Sequence, residues 1–264
     1  MNFDFNYLAR KIYQTIVPQK YGWFGNYSSW ELAKKESSGY NANEILEKVK
    51  QSLLKVKNGE ALYERDSVLF DKIEYSWPLL AGLMWIAAQN NGNLNVLDFG
   101  GSLGSTYFQN RKFLKTIKNV KWNIVEQELF VKCGKEFFED GALKFYDNIE
   151  NCFKNENPQV VIFSSVLQYI EKPYAFLQSV FEFSPQFIIV DIMPFIENGN
   201  DRITIQKVSP EIYDASYPCW FLNRKTFIDF LTPKYELITD FQSNLSILLD
   251  GRRIPYQGFI FKKL

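Results

Sequence analysis

The residues of this 264-residue chain best suited to chemistry are acids and glycines placed where apolar runs end. Val96-Leu97-Asp98-Phe99-Gly100-Gly101-Ser102-Leu103-Gly104 passes from apolar residues to an acid and then to three glycines within five positions. Such a segment reads as a buried parallel strand turning into a helix whose N-terminus meets a ligand with nearly bare backbone. The glycines permit the tight turn and remove side chains that would block the approach. Trp122-Asn123-Ile124-Val125-Glu126 reads as the next strand, and Glu126 falls where a Rossmann-type fold hydrogen-bonds a ribose hydroxyl. A pyrophosphate binder carries G-x-G-x-x-G, whereas the order here is Asp-x-Gly-Gly-Ser-x-Gly, and a carboxylate at that point repels pyrophosphate. It suits S-adenosylmethionine, which has an amino acid tail, a sulfonium charge and a ribose but no phosphate. The glycines by themselves also fit an ordinary turn after a strand; Glu126 favours the cofactor.

Ligands of an open α/β sheet gather at the carboxyl ends of its strands. On that rule Asp98 receives the cofactor's ammonium or orders its water, with Gly100, Gly101, Ser102 and Gly104 forming the turn around it. Glu126 and Gln127 face the ribose. Asp147 with Asn148 either meets an adenine amino edge or forms a turn. Ser164, Ser165, Gln168 and Tyr169 pass beside the sulfonium and its methyl, and Asp191 stands near the acceptor. The chain has no histidine, which excludes Ser–His and Cys–His nucleophile systems and imidazole metal ligation. Methyl transfer tolerates that absence, because the donor carries its own leaving group and alignment supplies much of the acceleration. A hydroxyl acceptor needs a base, with Asp191, Glu171, Asp214 or a Tyr169 tyrosinate as candidates. An anionic oxygen needs none and wants donors instead: Arg65, Arg202, Tyr27, Tyr169, Tyr213 and Tyr217. Arg65 beside Asp66 reads equally as a structural ion pair. Trp23 and Tyr27 belong to an aromatic segment, 21–30, that serves as a lid or acceptor wall or simply caps the core. The polar-aromatic stretch 211–220 reads as a second acceptor wall.

These side chains require a scaffold, and the composition supplies one. Apolar residues make up 46% of the chain, enough for a large core. Lys+Arg and Asp+Glu balance at 30 each, so no net charge favours nucleic acid. Cys133, Cys152 and Cys219 share no C-x-x-C spacing, which indicates neither a disulfide framework nor a zinc site, and no metal is expected. A reducing cytoplasm follows, with neither a signal peptide nor a membrane span read in the sequence. Residues 1–92 read as an N-terminal helical and aromatic extension. It includes a helix from Asn43 to Val56, capped by Asn43, and a second from Pro78 to Ala88, stopped by Asn90-Asn91-Gly92. Residues 93–264 read as the catalytic domain. Strands are expected at 94–99, 121–126, 143–146, 159–164, 186–191, 235–241 and 257–262, with helices near 104–117, 129–139, 173–182 and 224–231. The expected architecture is α/β: a Rossmann-like, mostly parallel seven-stranded sheet with an antiparallel terminal strand.

Several motifs lie beyond the glycine turn: Trp23-x-Gly25-x-Tyr27, Ser29-Trp30, Gly39-Tyr40, Tyr63-Glu64-Arg65-Asp66-Ser67, Trp122-x-x-Val125-Glu126-Gln127 and Leu167-Gln168-Tyr169. With Leu97-Asp98-Phe99-Gly100-Gly101-Ser102-x-Gly104-Ser105 they resemble a bacterial family of class I S-adenosylmethionine-dependent methyltransferases associated with capsule and lipopolysaccharide biosynthesis. The resemblance implies that fold, S-adenosylmethionine as cofactor with S-adenosylhomocysteine as product, and a glycan-precursor substrate. It makes Asp98, Gly100, Gly101 and Gly104 cofactor contacts and puts Glu126 on the ribose. Where such sequences tend to carry arginine after the fifth strand's aspartate, this chain has Ile192. The first expectation is methyl transfer to an oxygen of a phosphorylated, phosphoramidate-bearing or nucleotide-linked precursor. The alternatives are a sugar-hydroxyl O-methyltransferase with a carboxylate base, and a non-catalytic protein that binds the cofactor or its product.

Overall fold

The structure is a computed structural model and describes residues 20–39 and 42–264. Tyr40 and the first 19 residues of the N-terminal segment lie outside the described residues. In chain order the strands are β1 (Gly22–Tyr27), β2 (Tyr63–Arg65), β3 (Val68–Phe70), β4 (Asn93–Phe99), β5 (Asn119–Val125) and β6 (Leu143–Tyr146). They continue with β7 (Val160–Ser164), β8 (Phe187–Ile196), β9 (Arg202–Lys207), β10 (Ser216–Asn223), β11 (Tyr235–Leu249) and β12 (Arg252–Lys263).

Apolar residues fill both faces of β4, β7 and β8, as parallel strands covered on two sides require. Val96, Ile162 and Ile189 point into one layer, beneath the helices Ala42–Asn58, Trp77–Gln89, Ser105–Leu114 and Glu128–Phe137. Leu97, Phe163 and Val190 point into the other, beneath the helices Ile149–Glu156, Pro173–Phe181 and Arg224–Leu231. The strands run β6-β5-β4-β7-β8 in parallel. β12 then pairs antiparallel with β8, and β11 antiparallel with β12. This is the α/β, Rossmann-like arrangement expected from the sequence. The crossing from β4 to β7 makes the topological switch at which such sheets bind ligands.

The sheet has ten strands rather than seven. After pairing with β12 as far as Pro194, β8 continues and takes a second neighbour, with Leu222 and Asn223 of β10 lying parallel to Phe195 and Ile196. β9 pairs antiparallel with β10, and β1 with β9. The aromatic segment 21–30 therefore contains an edge strand. Its register slips between Phe24 and Tyr27, around Gly25 at φ +83°. Three further differences have local causes. The helix expected at 43 starts at Ala42, so Asn43 lies inside its first turn and does not cap it. The helix Ile149–Glu156 lies beyond those expected from the apolar pattern; Asn148 caps it, its Oδ1 accepting from the Asn151 N–H at 2.7 Å. β11 and β12 run longer than expected because the turn at Asp250 (φ +49°) and Gly251 (φ +74°) lets the hairpin pair to its tip.

Candidate active site

The carboxyl ends of β4, β5, β7 and β8 open onto a cavity of about 1750 Å³. Its floor is the turn after β4. Gly100 has φ +70°, and its N–H donates to the Val125 carbonyl at 2.9 Å, joining the turn to β5. A Cβ on Gly101 would lie 2.7 Å from both Cγ and Oδ2 of Asp98, so the bare glycine lets the aspartate side chain fold under the turn. Asp98 is 1% exposed, and its Oδ2 accepts from the Trp122 indole N–H at 3.1 Å. Burial pushes its carboxyl up to about 7, against that bond and with help from the nearby Glu126 charge. Glu126 lines the same cavity and takes the Gln127 N–H on Oε2 at 2.7 Å. Burial raises it too, while the amides of Gln127 and Ser102 steady its charged form. Ser102 and Gln127 also line the wall. Gly104 does not: at φ +107° it starts the helix Ser105–Leu114, packed toward Leu143 and Ile124. Asp147 lines the cavity, and its Oδ1 takes the Asn151 side-chain amide at 2.9 Å.

Beyond the floor, Ser164 and Ser165 line the cavity, and the Ser165 N–H bonds the Asp191 carbonyl at 2.9 Å. Gln168 sits behind them, 1% exposed, and donates to Ser165 Oγ at 3.2 Å rather than facing the cavity. Asp191 lines the wall at 1% exposure. Its Oδ1 takes the Ile192 N–H at 3.0 Å, and the Ser76 side chain also bears on the carboxylate. Burial pushes this carboxyl up to about 6, opposed by Ser76 and the Ile192 amide. Ile192 has φ +51°, a strained conformation for a β-branched residue. Tyr169 donates to Gln206 Oε1 at 2.7 Å and meets Tyr217 edge to face at 5.2 Å. Burial drives its hydroxyl well above the ordinary value, and in this structure that hydroxyl is occupied as a donor to Gln206. Glu171 and Asp214, the other candidate bases, are exposed and outside the cavity wall.

The aromatic candidates divide. Trp23, Tyr213 and Tyr217 line the cavity, and the last two hydroxyls pair with each other. Tyr27 is outside the wall, its hydroxyl donating to Glu36 at 2.7 Å. Arg202 is also outside: it ion-pairs with Asp250 and donates to the Gly25 carbonyl at 2.9 Å, a clamp between the edge strand and the β11–β12 turn. Arg65 does line the cavity, but its ion partner is Glu74 at 3.4 Å and not the adjacent Asp66. Wall residues that the sequence does not single out include Glu64, Ser67, Gln206 and Tyr256. Glu64 and Ser67 stand there only among the motifs of the family resemblance. The local signal, two short β-prone runs around Asp66-Ser67, is too brief to read as a hairpin. Among the described residues, eight carboxylate side chains line the cavity against two cations, Arg65 and Lys72.

Among the described residues no helix is long and apolar enough to cross a membrane. No group of side chains among them is arranged to hold a metal ion. No family model matches the chain, and no curated protein matches it. Solved structures similar to it include a SAM-dependent methyltransferase from Methanosarcina mazei, 12% identical, covering 64% of this chain and 92% of that one at a TM-score of 0.46. Another is the N-terminal domain of EvdMO1 crystallised with SAH and D-fucose, 12% identical over 86% of this chain and 98% of that one, TM-score 0.49. A third is the 1,6-didemethyltoxoflavin-N1-methyltransferase of Burkholderia thailandensis with that substrate and S-adenosylhomocysteine, 10% identical over 86% and 94%, TM-score 0.43.

Proposed function

We propose that this chain is an S-adenosylmethionine-dependent methyltransferase whose cofactor lies over the Gly100–Gly104 turn. One observation carries the reading: Gly101 gives up its Cβ to the buried Asp98 carboxyl, with Glu126 just past the end of the neighbouring strand lining the same cavity. Two acids beside a glycine turn suit an ammonium, a sulfonium and a ribose, and disfavour a diphosphate. Asp98 would hold the amino acid tail, Glu126 the ribose hydroxyls, and Asp147 the adenine edge. When bound, the cofactor supplies an electrophilic methyl group with a built-in leaving group.

For the acceptor, the charges of the cavity favour the hydroxyl alternative over a phosphorylated or phosphoramidate-bearing precursor. Carboxylates outnumber cations, and Arg65 is already engaged by Glu74. Asp191, buried on the cavity wall and raised toward neutrality, would take the proton from an acceptor hydroxyl as its oxygen gains the methyl. The polar-aromatic wall of Tyr169, Tyr213 and Tyr217 suits an uncharged ring such as a sugar. A role in surface-polysaccharide synthesis in the cytoplasm is the setting that the family resemblance suggests. Calorimetry with S-adenosylhomocysteine tests the cofactor: saturable binding and a raised Tm are expected, with no shift from NAD. No binding by S-adenosylhomocysteine, or a preference for NAD, removes the reading. Incubation with isotopically labelled methyl donor and a panel of neutral and phosphorylated glycan precursors, read by mass spectrometry, then tests the acceptor.

A further inference from the structure

Glu64 is a carboxylate buried to 2% exposure on the short strand β2, and among the described residues it has no ion-pair partner. Each of its oxygens is nevertheless used. Oε1 accepts the Ser67 N–H at 2.8 Å, closing the turn of the β2–β3 hairpin, where Asp66 (φ +52°) and Ser67 (φ +69°) are both left-handed. Oε2 accepts the Ser105 hydroxyl at 2.6 Å. Ser105 is the first residue of the helix that follows the glycine turn, where the helix dipole also favours a negative charge. Burial raises the Glu64 carboxyl, while the Ser105 hydroxyl and the Ser67 amide favour its charged form; hydrogen bonds to a charged carboxylate are among the stronger ones available to a side chain. The hairpin tip and the helix start are thus joined through one side chain, that of Glu64, 41 positions before Ser105.

Both ends of that bridge belong to the cavity. On the hairpin side, Arg65, Asp66 and Ser67 line the wall, and Ser67 Oγ is buried without a partner. The Asp66 carboxylate bears electrostatically on the phenols of Tyr169, Tyr213, Tyr217 and Tyr256, all cavity residues. On the helix side, the turn that begins at Gly100 carries the Ser102 amide that faces Glu126. A connected line therefore runs from Glu126 through the glycine turn to Ser105, Glu64 and the hairpin tip.

We propose that Glu64 is a positioning residue which, through Ser105, couples occupancy of the glycine turn to closure of the β2–β3 hairpin over the acceptor half of the cavity. The inference rests on the cofactor reading above. A ligand that orders the start of the helix fixes the Ser105 hydroxyl, which fixes the Glu64 carboxylate and, with it, the Ser67 amide and Asp66. The acceptor wall is then completed after the cofactor has bound, which gives an ordered sequence of binding.

Hydrogen–deuterium exchange on the full chain, with and without S-adenosylhomocysteine, tests this without an acceptor. In the wild type the ligand is expected to slow exchange in peptides spanning 63–70 by about fivefold or more, the low end of typical coupling between sites. Ser105→Ala should abolish that difference while lowering ligand affinity by no more than about fivefold. Ser105→Thr, which keeps the hydroxyl, should restore it, and protection of β4 should be the same in all three proteins. If the ligand binds but leaves the hairpin's exchange unchanged in the wild type, the inference is overturned. The same holds if the ligand slows exchange equally in Ser105→Ala; in both cases the cofactor reading stands. If the ligand does not bind the wild type, both are overturned.

Discussion

Replacing Gly101 by alanine adds one methyl group to a place already taken. Its Cβ would stand 2.7 Å from Asp98 Oδ2, about 0.7 Å inside the separation at which ordinary contact begins. Gly101 is not among the residues at positive φ, so alanine brings no backbone strain and the overlap is the whole perturbation. The carboxyl has nowhere easy to go. It is 1% exposed and tied to the Trp122 indole, and a hydrogen bond to a charged group contributes about 1.5–3 kcal/mol. Overpacking a buried site costs a similar ~1–3 kcal/mol. Part of each cost is relieved by relaxation, so the expected loss of stability is about 2–4 kcal/mol, read from urea unfolding. Moving the carboxyl should also weaken S-adenosylmethionine binding by about 30-fold or more, since 2 kcal/mol is roughly that factor. A double-mutant cycle isolates the cause. In an Asp98→Ala background the obstructed oxygens are gone, and Gly101→Ala should then cost less than about 0.5 kcal/mol. An equal cost in both backgrounds would refute the packing of Asp98 beneath the turn.

The raised carboxyls of Asp98 (about 7) and Asp191 (about 6) bind protons in the folded chain at pH values where an unfolded aspartate, near 3.8, has lost them. The stability this contributes is complete below about pH 4 and disappears as pH rises through 6 to 7, so the stability of Asp98→Asn relative to wild type should rise over that window in urea titrations. The cofactor's cationic groups favour ionised Asp98; affinity measured by calorimetry should therefore increase from pH 5 to 7.5 in wild type and stay weak and flat in Asp98→Asn. Asn148→Ala removes a helix cap and should cost about 1 kcal/mol in unfolding experiments, with little effect on cofactor affinity. Arg202→Ala should loosen the edge strand and the β11–β12 turn, seen as faster amide exchange there. Cofactor affinity should not change, and a large loss would return Arg202 to the site.

Much of the parallel sheet is legible because burial on both faces demands unbroken apolar runs, as in Val160-Val161-Ile162-Phe163. Asp98, Glu126 and Asp191 are legible for a related reason: each acid terminates or interrupts such a run, and a buried acid calls for a partner. The added strands are not. β10 carries Pro218, which argues against a strand; it is accommodated where β10 has β9 on one side and meets β8 only near its end. β1 is interrupted by Gly25, and its partner β9 lies almost 180 residues away, so its pairing leaves no local trace. Sequence separation also hides the fate of Arg202, whose charge is taken up by Asp250, 48 residues on. Glu64 and Ser105 likewise meet only because the hairpin folds onto the helix start. Residue type indicates which chemistry a side chain can perform, but such long-range contacts decide whether it remains available.

The two successive neighbours of β8 have a bearing on how this molecule could change. A backbone that serves the hairpin along most of its length and the outer three-strand ribbon at its tip works as a fork. Both tines take their register from the one parent strand, the hairpin as far as Pro194 and the ribbon at Phe195 and Ile196. Rebuilding the segment from 197 to 221 would then recast the roof above the cleft and leave the floor intact. A chimera exchanging that stretch with another protein of the same layout should keep its donor-molecule preference and acquire a different recipient.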